Sequence, residues 1–245
     1  MKYSYEQISN TGSRIVNEDS VGVCRGEDSL LLALADGLGG HGKGEVASQL
    51  VIADAMAQYK LQEKQVPRAV LEHCFVHCQE ILLKEQAATN SQNSMKTTLN
   101  LAIVKDNCMF SGHIGDSRTY FFRKNKLLWR TLDHSVPQVL VATGEIKEKN
   151  IRHHPDRNRL LRVLGIDGVE LRYELENELT EMRSNDAVLL CSDGFWELIT
   201  EKEMQKCLKS SKTAMQWLEK MNEIVQKNGK LVNMDNNSAI VLFAE

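Results

Sequence analysis

Apolar positions along the chain change period several times, and each change marks an element. Residues 3–9 read as a strand leading into a polar loop that ends in Asn17-Glu18-Asp19. Residues 29–35, Ser-Leu-Leu-Leu-Ala-Leu-Ala, are a short apolar run closed by Asp36-Gly37, the pattern of a buried strand. After a glycine-rich turn, Val46, Leu50, Ala53 and Ala57 recur at helical spacing over 44–59, and 67–87 reads as a second helix. The segments 97–104, 108–114, 117–123 and 126–132 alternate or carry β-branched and aromatic residues at close intervals, which predicts an antiparallel meander. Residues 135–165 are polar and helical with turns, interrupted by Pro137 and Pro155. Strands at 169–175 and 186–192, a long helix at 212–228 and a last strand at 237–243 complete the pattern. Strands that cluster apart from helices favour an α+β fold over a doubly wound parallel sheet.

The chain has 245 residues, 42% hydrophobic and 26% charged, enough for one sizeable core; the length allows one or two domains, and mixed α/β folds of this size are often a single one. Three prolines and fifteen glycines exclude a collagen, a proline-rich linker or a long disordered tail. A net charge of −3 speaks against a nucleic-acid binder that works by bulk positive charge. No window of roughly 18 uncharged apolar residues occurs, so no transmembrane helix and no membrane partner are expected. The opening Met1-Lys2-Tyr3-Ser4-Tyr5-Glu6-Gln7 has no apolar core of a secretory signal, so the six cysteines are expected as reduced thiols in a cytoplasm.

Candidate chemistry begins at Gly37-Leu38-Gly39-Gly40-His41-Gly42, which fits G-x-G-x-x-G. A dinucleotide site also needs a second parallel strand with an acidic end, and the helix at 44–59 is followed by Lys60 to Gln65 and another helix. A P-loop would need a hydroxyl after Lys43, where Gly44 stands. In the third reading, Asp36 ends a buried strand and is followed by glycines whose carbonyls can face a hard cation, with His41 in reach. Its bland counterpart is a plain turn with a capping aspartate. Four more acidic signatures stand at element ends: Asn17-Glu18-Asp19, Gly115-Asp116-Ser117-Arg118, Ser192-Asp193-Gly194 and Asp235-Asn236-Asn237. Each alone is more often a cap or turn residue. Together they point to one oxygen-rich site for Mg²⁺ or Mn²⁺, and two such ions about 3.5–4 Å apart clamp an in-line attack on phosphorus.

Other features carry less. His73-Cys74 and His77-Cys78 make half a zinc site with no second pair, which reads as cysteine packing on an amphipathic helix. No cysteine has an arginine six residues on, and neither Ser117 nor Ser192 lies in G-x-S-x-G, so covalent thiol and serine routes are disfavoured. His153-His154 read as exposed loop residues. Lys147, Lys149, Arg152, Arg157, Arg159 and Arg162 make their segment basic, either a solvated face or an attraction for a phosphorylated substrate.

The segments Arg14-x-x-Asn17-Glu18-Asp19, Asp36-Gly37-Leu38-Gly39-Gly40-His41, Thr97-Thr98-Leu99, Gly115-Asp116-Ser117-Arg118, Asp133-His134-Ser135, Ser192-Asp193-Gly194 and Asp235-Asn236 run in this order from 14 to 236. In these residues the chain resembles the metal-dependent Ser/Thr protein phosphatases of type 2C, in particular their compact bacterial members. The resemblance implies a central antiparallel β-sandwich flanked by α-helices on both faces, a four-layer αββα arrangement over residues 1–245, with a flap at about 135–168. It implies that Asp36 bridges two Mn²⁺ or Mg²⁺ ions, that the Gly37 carbonyl binds one of them, and that Asp193 and Asp235 complete the other. Glu18 and Asp19 would ligate directly or hold metal-bound water, and Asp116 would help bind a third, weaker ion. Arg14 would grip the substrate phosphate, because a guanidinium matches two phosphate oxygens at once. His41 would protonate the leaving Ser or Thr oxygen, and metal binding would acidify water enough to supply hydroxide near neutral pH. The implied partners are phosphorylated proteins and a cognate Ser/Thr kinase, for a cytoplasmic monomer. Two alternatives remain at this point: the same chemistry on small phosphate esters, and a phosphatase-like module that binds phosphoprotein to regulate a partner.

Overall fold

The computed structural model describes residues 1–38, 43–176 and 179–245. In chain order the elements are β1 (Tyr3–Asn10), β2 (Asp19–Arg25), β3 (Ser29–Leu38), α1 (Gly44–Gln62), α2 (Pro67–Thr89), β4 (Lys96–Thr97), β5 (Leu99–Lys105), β6 (Cys108–Ile114), β7 (Arg118–Arg123) and β8 (Lys126–Arg130). Then come α3 (Val136–Ala142), a 3₁₀ helix (Glu148–His153), β9 (Glu174–Leu175), β10 (Thr180–Glu181), β11 (Ala187–Cys191), α4 (Asp193–Trp196), α5 (Glu201–Lys209), α6 (Ala214–Gly229) and β12 (Asn237–Ala244).

The apolar run of β3 shows how the layers arise. Side chains alternate across a strand, so Leu30, Leu32 and Leu34 enter the core between the sheets while Leu31, Ala33 and Ala35 pack under α1 and α2. β12 does the same on the other side: Ile240, Leu242 and Ala244 face the inter-sheet core, and Ala239 and Val241 face the layer of α4, α5 and α6. Both strands are apolar on two faces because both are covered on two faces. One sheet runs β1-β12-β11-β7-β8 and the other β10-β6-β5-β3-β2, with β4 on β3 and β9 on β6. Every ladder is antiparallel among the described residues, which gives the expected α+β sandwich with helices outside.

Some expectations need correction. The four strands between 97 and 132 are not one meander. β5 and β6 form a hairpin in one sheet, and β7 and β8 form a hairpin in the other. Gly115, at φ +111°, turns the chain from sheet to sheet at Gly115-Asp116-Ser117, a conformation that L side chains disfavour. The strand expected at 169–175 shrinks to Glu174–Leu175. β2 and α5 were not anticipated at all. β2 pairs with β3 along its length, and Gly22 lets it pass close beneath Ile52 and Met56 of α1. α5 starts with a capping box between Thr200 and Glu203.

Candidate active site

The site lies at one end of the sandwich, where strands of both sheets stop. The β2–β3 ladder sets Asp19 directly opposite Asp36. Like charges in that relation repel, so the pairing needs a reason. The Asp36 backbone is locked by the next strand: its N–H donates to Thr98 Oγ1, and its carbonyl accepts from Thr97 Oγ1 and Thr98 N–H, all at 2.9 Å. Thr98 Oγ1 in turn meets Ser117 Oγ at 2.9 Å, which ties Asp36 to the corner that carries Asp116. From the other sheet, Ser192 follows the end of β11, and its hydroxyl donates to Asp19 Oδ2 at 2.8 Å and accepts from Ser238 N–H at 2.9 Å. Asp193 follows as the first residue of α4, with its carboxyl in hydrogen-bonding reach of Asp36.

The loop between β1 and β2 is held by Asn236. Its amide donates to the carbonyls of Thr11 and Val16, at 2.8 and 3.0 Å, and its oxygen accepts from Glu18 N–H at 2.9 Å. Arg14 sits between these ties with its side chain 49% exposed, and its guanidinium pairs with Asp235 at 2.7 Å. Gly37 N–H donates to the Glu18 carbonyl at 3.0 Å, and a Cβ at Gly37 would collide with the backbone carbonyls of Gly44 and Glu18. Only glycine permits this approach.

Thus Arg14, Glu18, Asp36, Gly37, Asp116, Asp193 and Asp235 line one cleft of about 230 Å³, together with Asn158 and Asn236. It opens into a groove of about 520 Å³ that shares Arg14, Asn158, Asp193 and Asp235 and continues along Arg157, Glu197 and Val232. Asp19 is buried immediately behind. His41 lies outside the described residues.

Electrostatics explain the oddity of this cluster. Burial, then the neighbouring Asp19 and Asp193, push the Asp36 carboxyl well above its usual range, and burial with Asp193 and Asp133 does the same to Asp116. Burial raises Asp19 to about 7 against the hydroxyls of Ser238 and Ser192, and burial with Asp235 raises Asp193 to about 6. Glu18 is raised by burial and by Glu45. Asp19 Oδ1 is buried with no hydrogen-bond partner among the described residues. Carboxylates so arranged want positive charge, and Arg14 reaches only Asp235. Hard oxygen donors, a glycine carbonyl and an orphaned buried carboxylate oxygen fit divalent cations such as Mg²⁺ or Mn²⁺.

Residues that support the cluster were quoted from the sequence without a role. Arg118 is buried, makes a two-pronged pair with Asp133 at 2.7 Å on each arm, and lies 3.4 Å over the Trp196 ring. His134 brackets Gly115: its N–H donates to the Gly115 carbonyl at 2.9 Å, and its Nδ1 accepts from Gly115 N–H at 3.1 Å. Burial and the stacked His113 ring, 4.5 Å away, push His134 down to about 4, so Nδ1 keeps the lone pair this bond needs. His113, His134 and Glu174 gather as a metal triad would. However, because Nδ1 of His134 accepts from the backbone, its Nε2 carries the proton and pairs with Glu174 at 3.3 Å, and Arg162 pairs with the same carboxylate at 3.1 Å.

The zinc alternative fails on the helices. Cys74 and Cys78 are buried, donating to the carbonyls of Ala55 and Val51, and His77 pairs with Asp54 at 2.8 Å. The basic segment is not simply solvated: Arg152, Arg157 and Arg162 pair with Glu201, Glu197 and Glu174.

Comparison with known proteins decides the family, because the family described as Protein phosphatase 2C matches residues 7–236. The chain belongs to the protein phosphatase 2C family. It is an enzyme, a phosphatase of proteins. This protein phosphatase 2C chain is similar to the serine/threonine phosphatase stp of Listeria monocytogenes serotype 4b (strain F2365), 32% identical over 232 residues, 92% of this chain and 89% of that one. The crystal structure of the Mycobacterium tuberculosis serine/threonine phosphatase PstP/Ppp is 33% identical, with a TM-score of 0.85 over 99% of each chain. The catalytic domain of PstP in complex with two manganese ions is 30% identical, with a TM-score of 0.81 over 99% of each chain. No described helix is long and apolar enough to cross a membrane.

Proposed function

We propose that the chain hydrolyses phosphoserine and phosphothreonine in proteins, at the cleft where the two sheets end, with two divalent cations, Mn²⁺ or Mg²⁺. The observation that carries this reading is the convergence of Asp19, Asp36, Asp116, Asp193 and Asp235 with Arg14 as the one pairing cation among the described residues that line the cleft. Asp36 and the Gly37 carbonyl would hold the ions from β3, Asp193 and Asp235 from the other sheet, and Glu18 and Asp19 directly or through water. Asp116 would serve a third, weaker ion. Bound there, the cations acidify water and neutralise charge for in-line displacement at phosphorus.

The remaining roles belong to the chain itself. Arg14 exchanges its Asp235 contact for two phosphate oxygens, the match a guanidinium makes best. His41 gives a proton to the leaving serine or threonine oxygen. The groove along Arg157, Glu197 and Val232 receives polypeptide on one side of the phosphorylated residue. The segment 135–168 acts as a flap on a single catalytic domain spanning residues 1–245. The enzyme works as a cytoplasmic monomer opposing a cognate Ser/Thr kinase; its similarity to the Listeria and Mycobacterium serine/threonine phosphatases supports phosphorylated proteins as the substrate.

The test is turnover of phosphoserine and phosphothreonine peptides by metal-stripped protein. Activity should vanish with chelator and return with Mn²⁺ or Mg²⁺. Persistent activity without metal would refute the reading. Faster turnover of small phosphate esters than of peptides would move the substrate class, and peptide binding without turnover would make this a binding module.

A further inference from the structure

Arg152 ends the charged face of the 3₁₀ helix and reaches out of its own segment. Nη1 donates to the Trp196 carbonyl, and Nη2 donates to Glu201 Oε1 at 2.5 Å. The side chain is only 10% exposed, and its guanidinium stands 5.3 Å from the centre of the Trp196 ring. Trp196 closes α4, the helix that Asp193 opens, and its indole N–H donates to the Asp116 carbonyl at 3.0 Å. One buried side chain therefore touches the backbone of one acidic residue and shares a single helical turn with another. Arg118, fixed by Asp133, covers the ring and limits its movement.

α4 is four residues long, too short to hold its own geometry, because helix nucleation is unfavourable until tertiary contacts support it. Its placement rests on what grips its ends. At the Asp193 end these are the Ser192 bonds to both sheets; at the Trp196 end they are Arg152 and the Asp116 carbonyl. We propose that Arg152 is a positioning residue, which latches the 148–153 turn and the start of α5 to α4 and so sets the separation of Asp116 and Asp193. A planar guanidinium can satisfy acceptors on two elements at once, whereas a lysine ammonium is a point charge. Without the latch, the Trp196 carbonyl loses its partner, α4 gains freedom, and the two carboxylates drift from the spacing a cation needs. Residues that orient metal ligands typically alter affinity by about 10–100-fold. The inference rests on the metal site proposed above.

The experiment titrates Mn²⁺ into metal-stripped wild type, Arg152→Gln, Arg152→Lys and Asp193→Asn by calorimetry. Thermal midpoints and phosphopeptide kcat and KM are measured alongside. Arg152→Gln should bind Mn²⁺ about tenfold more weakly, with kcat depressed at limiting Mn²⁺ and recovering at saturation. Arg152→Lys should fall between it and wild type. If Arg152→Gln does not fold, the lysine variant decides by the same titration, and a wild-type isotherm overturns the proposal. An unchanged isotherm with only a lower midpoint would make the contact structural, and one with only a raised KM would make Arg152 a substrate contact. Either overturns the latch. If wild type takes up no Mn²⁺, or Asp193→Asn takes it up equally, the metal-site reading fails instead.

Discussion

Replacing Asp193 with Asn should have opposite effects in the absence and presence of metal. In the metal-free protein the Asp193 carboxyl titrates at about 6 instead of 3.8, chiefly because of burial and then Asp235. The folded state therefore holds a proton that the unfolded chain has released, and stability falls as pH rises. The loss is absent below about pH 4 and complete once pH has passed through about 6. At pH 8 the difference between the two pKa values amounts to about 3 kcal/mol. Asparagine never ionises, so metal-free Asp193→Asn should be more stable than wild type by about that amount at pH 8, and no more stable near pH 4. For a domain of this size, that is a rise in thermal midpoint of roughly 6–12 °C. Comparing variant with wild type at each pH cancels the groups that Asp193 does not influence, including His134, whose lowered pKa acts in the opposite direction, while Asp36 and Asp116, which Asp193 helps to raise, add to the gain. With saturating Mn²⁺ the order should reverse, because the variant has lost an oxygen ligand, and activity should fall at least about a hundredfold. Thermal melts from pH 4 to 8, in chelator and in Mn²⁺, test both arms. A metal-free variant no more stable than wild type at pH 8 would refute the electrostatic account.

His41→Ala should slow hydrolysis of a phosphoserine peptide by about 10²–10⁴-fold and hydrolysis of an activated aryl phosphate far less, because phenolate leaves without a proton; equal losses in kcat would remove the general-acid role. Arg118→Met should leave Asp133 with only its longer, 3.7 Å pairing to Arg130 and destabilise the protein by about 3 kcal/mol, the low end for a broken buried pair, measured by denaturant unfolding. Adding Asp133→Asn should recover part of that loss, and no recovery would mean that Arg118 acts through packing on Trp196 alone.

The acidic residues were legible because each stands where an apolar segment stops, beside a glycine or a polar turn. Asp36 after the run 29–35 and Asp193 after 186–192 show this directly. Their supports were not, because they act through backbone atoms of distant segments. Trp196 reaches the Asp116 carbonyl, Asn236 reaches Thr11 and Val16, and His134 reaches Gly115. Such contacts depend on docking and leave no period in the sequence. β2 carries a weak signal, with Val21 and Val23 alternating around Gly22, and that glycine exists for the helix packed above it. The Thr200-x-x-Glu203 box could have revealed α5. The supposed meander failed at Gly115, since close spacing cannot tell a hairpin from a crossing between sheets when a positive-φ glycine makes the turn.

The ties made by Asn236 also divide stiffness from compliance. The loop that carries Arg14 is clamped at Thr11, Val16 and Glu18 by a single amide group, while its crest at Ile15 is 99% exposed. Ser13 N–H adds a tie to the Met234 carbonyl at 2.9 Å, and exposure is greatest at Ile15. In the proposed reading, Arg14 would meet the phosphate from this loop while the carboxylates are held by the two sheets. Tolerance toward substrates and exactness toward the reacting phosphorus would then fall to different parts, and tightening the crest should narrow the range of proteins served without disturbing the chemistry beneath it.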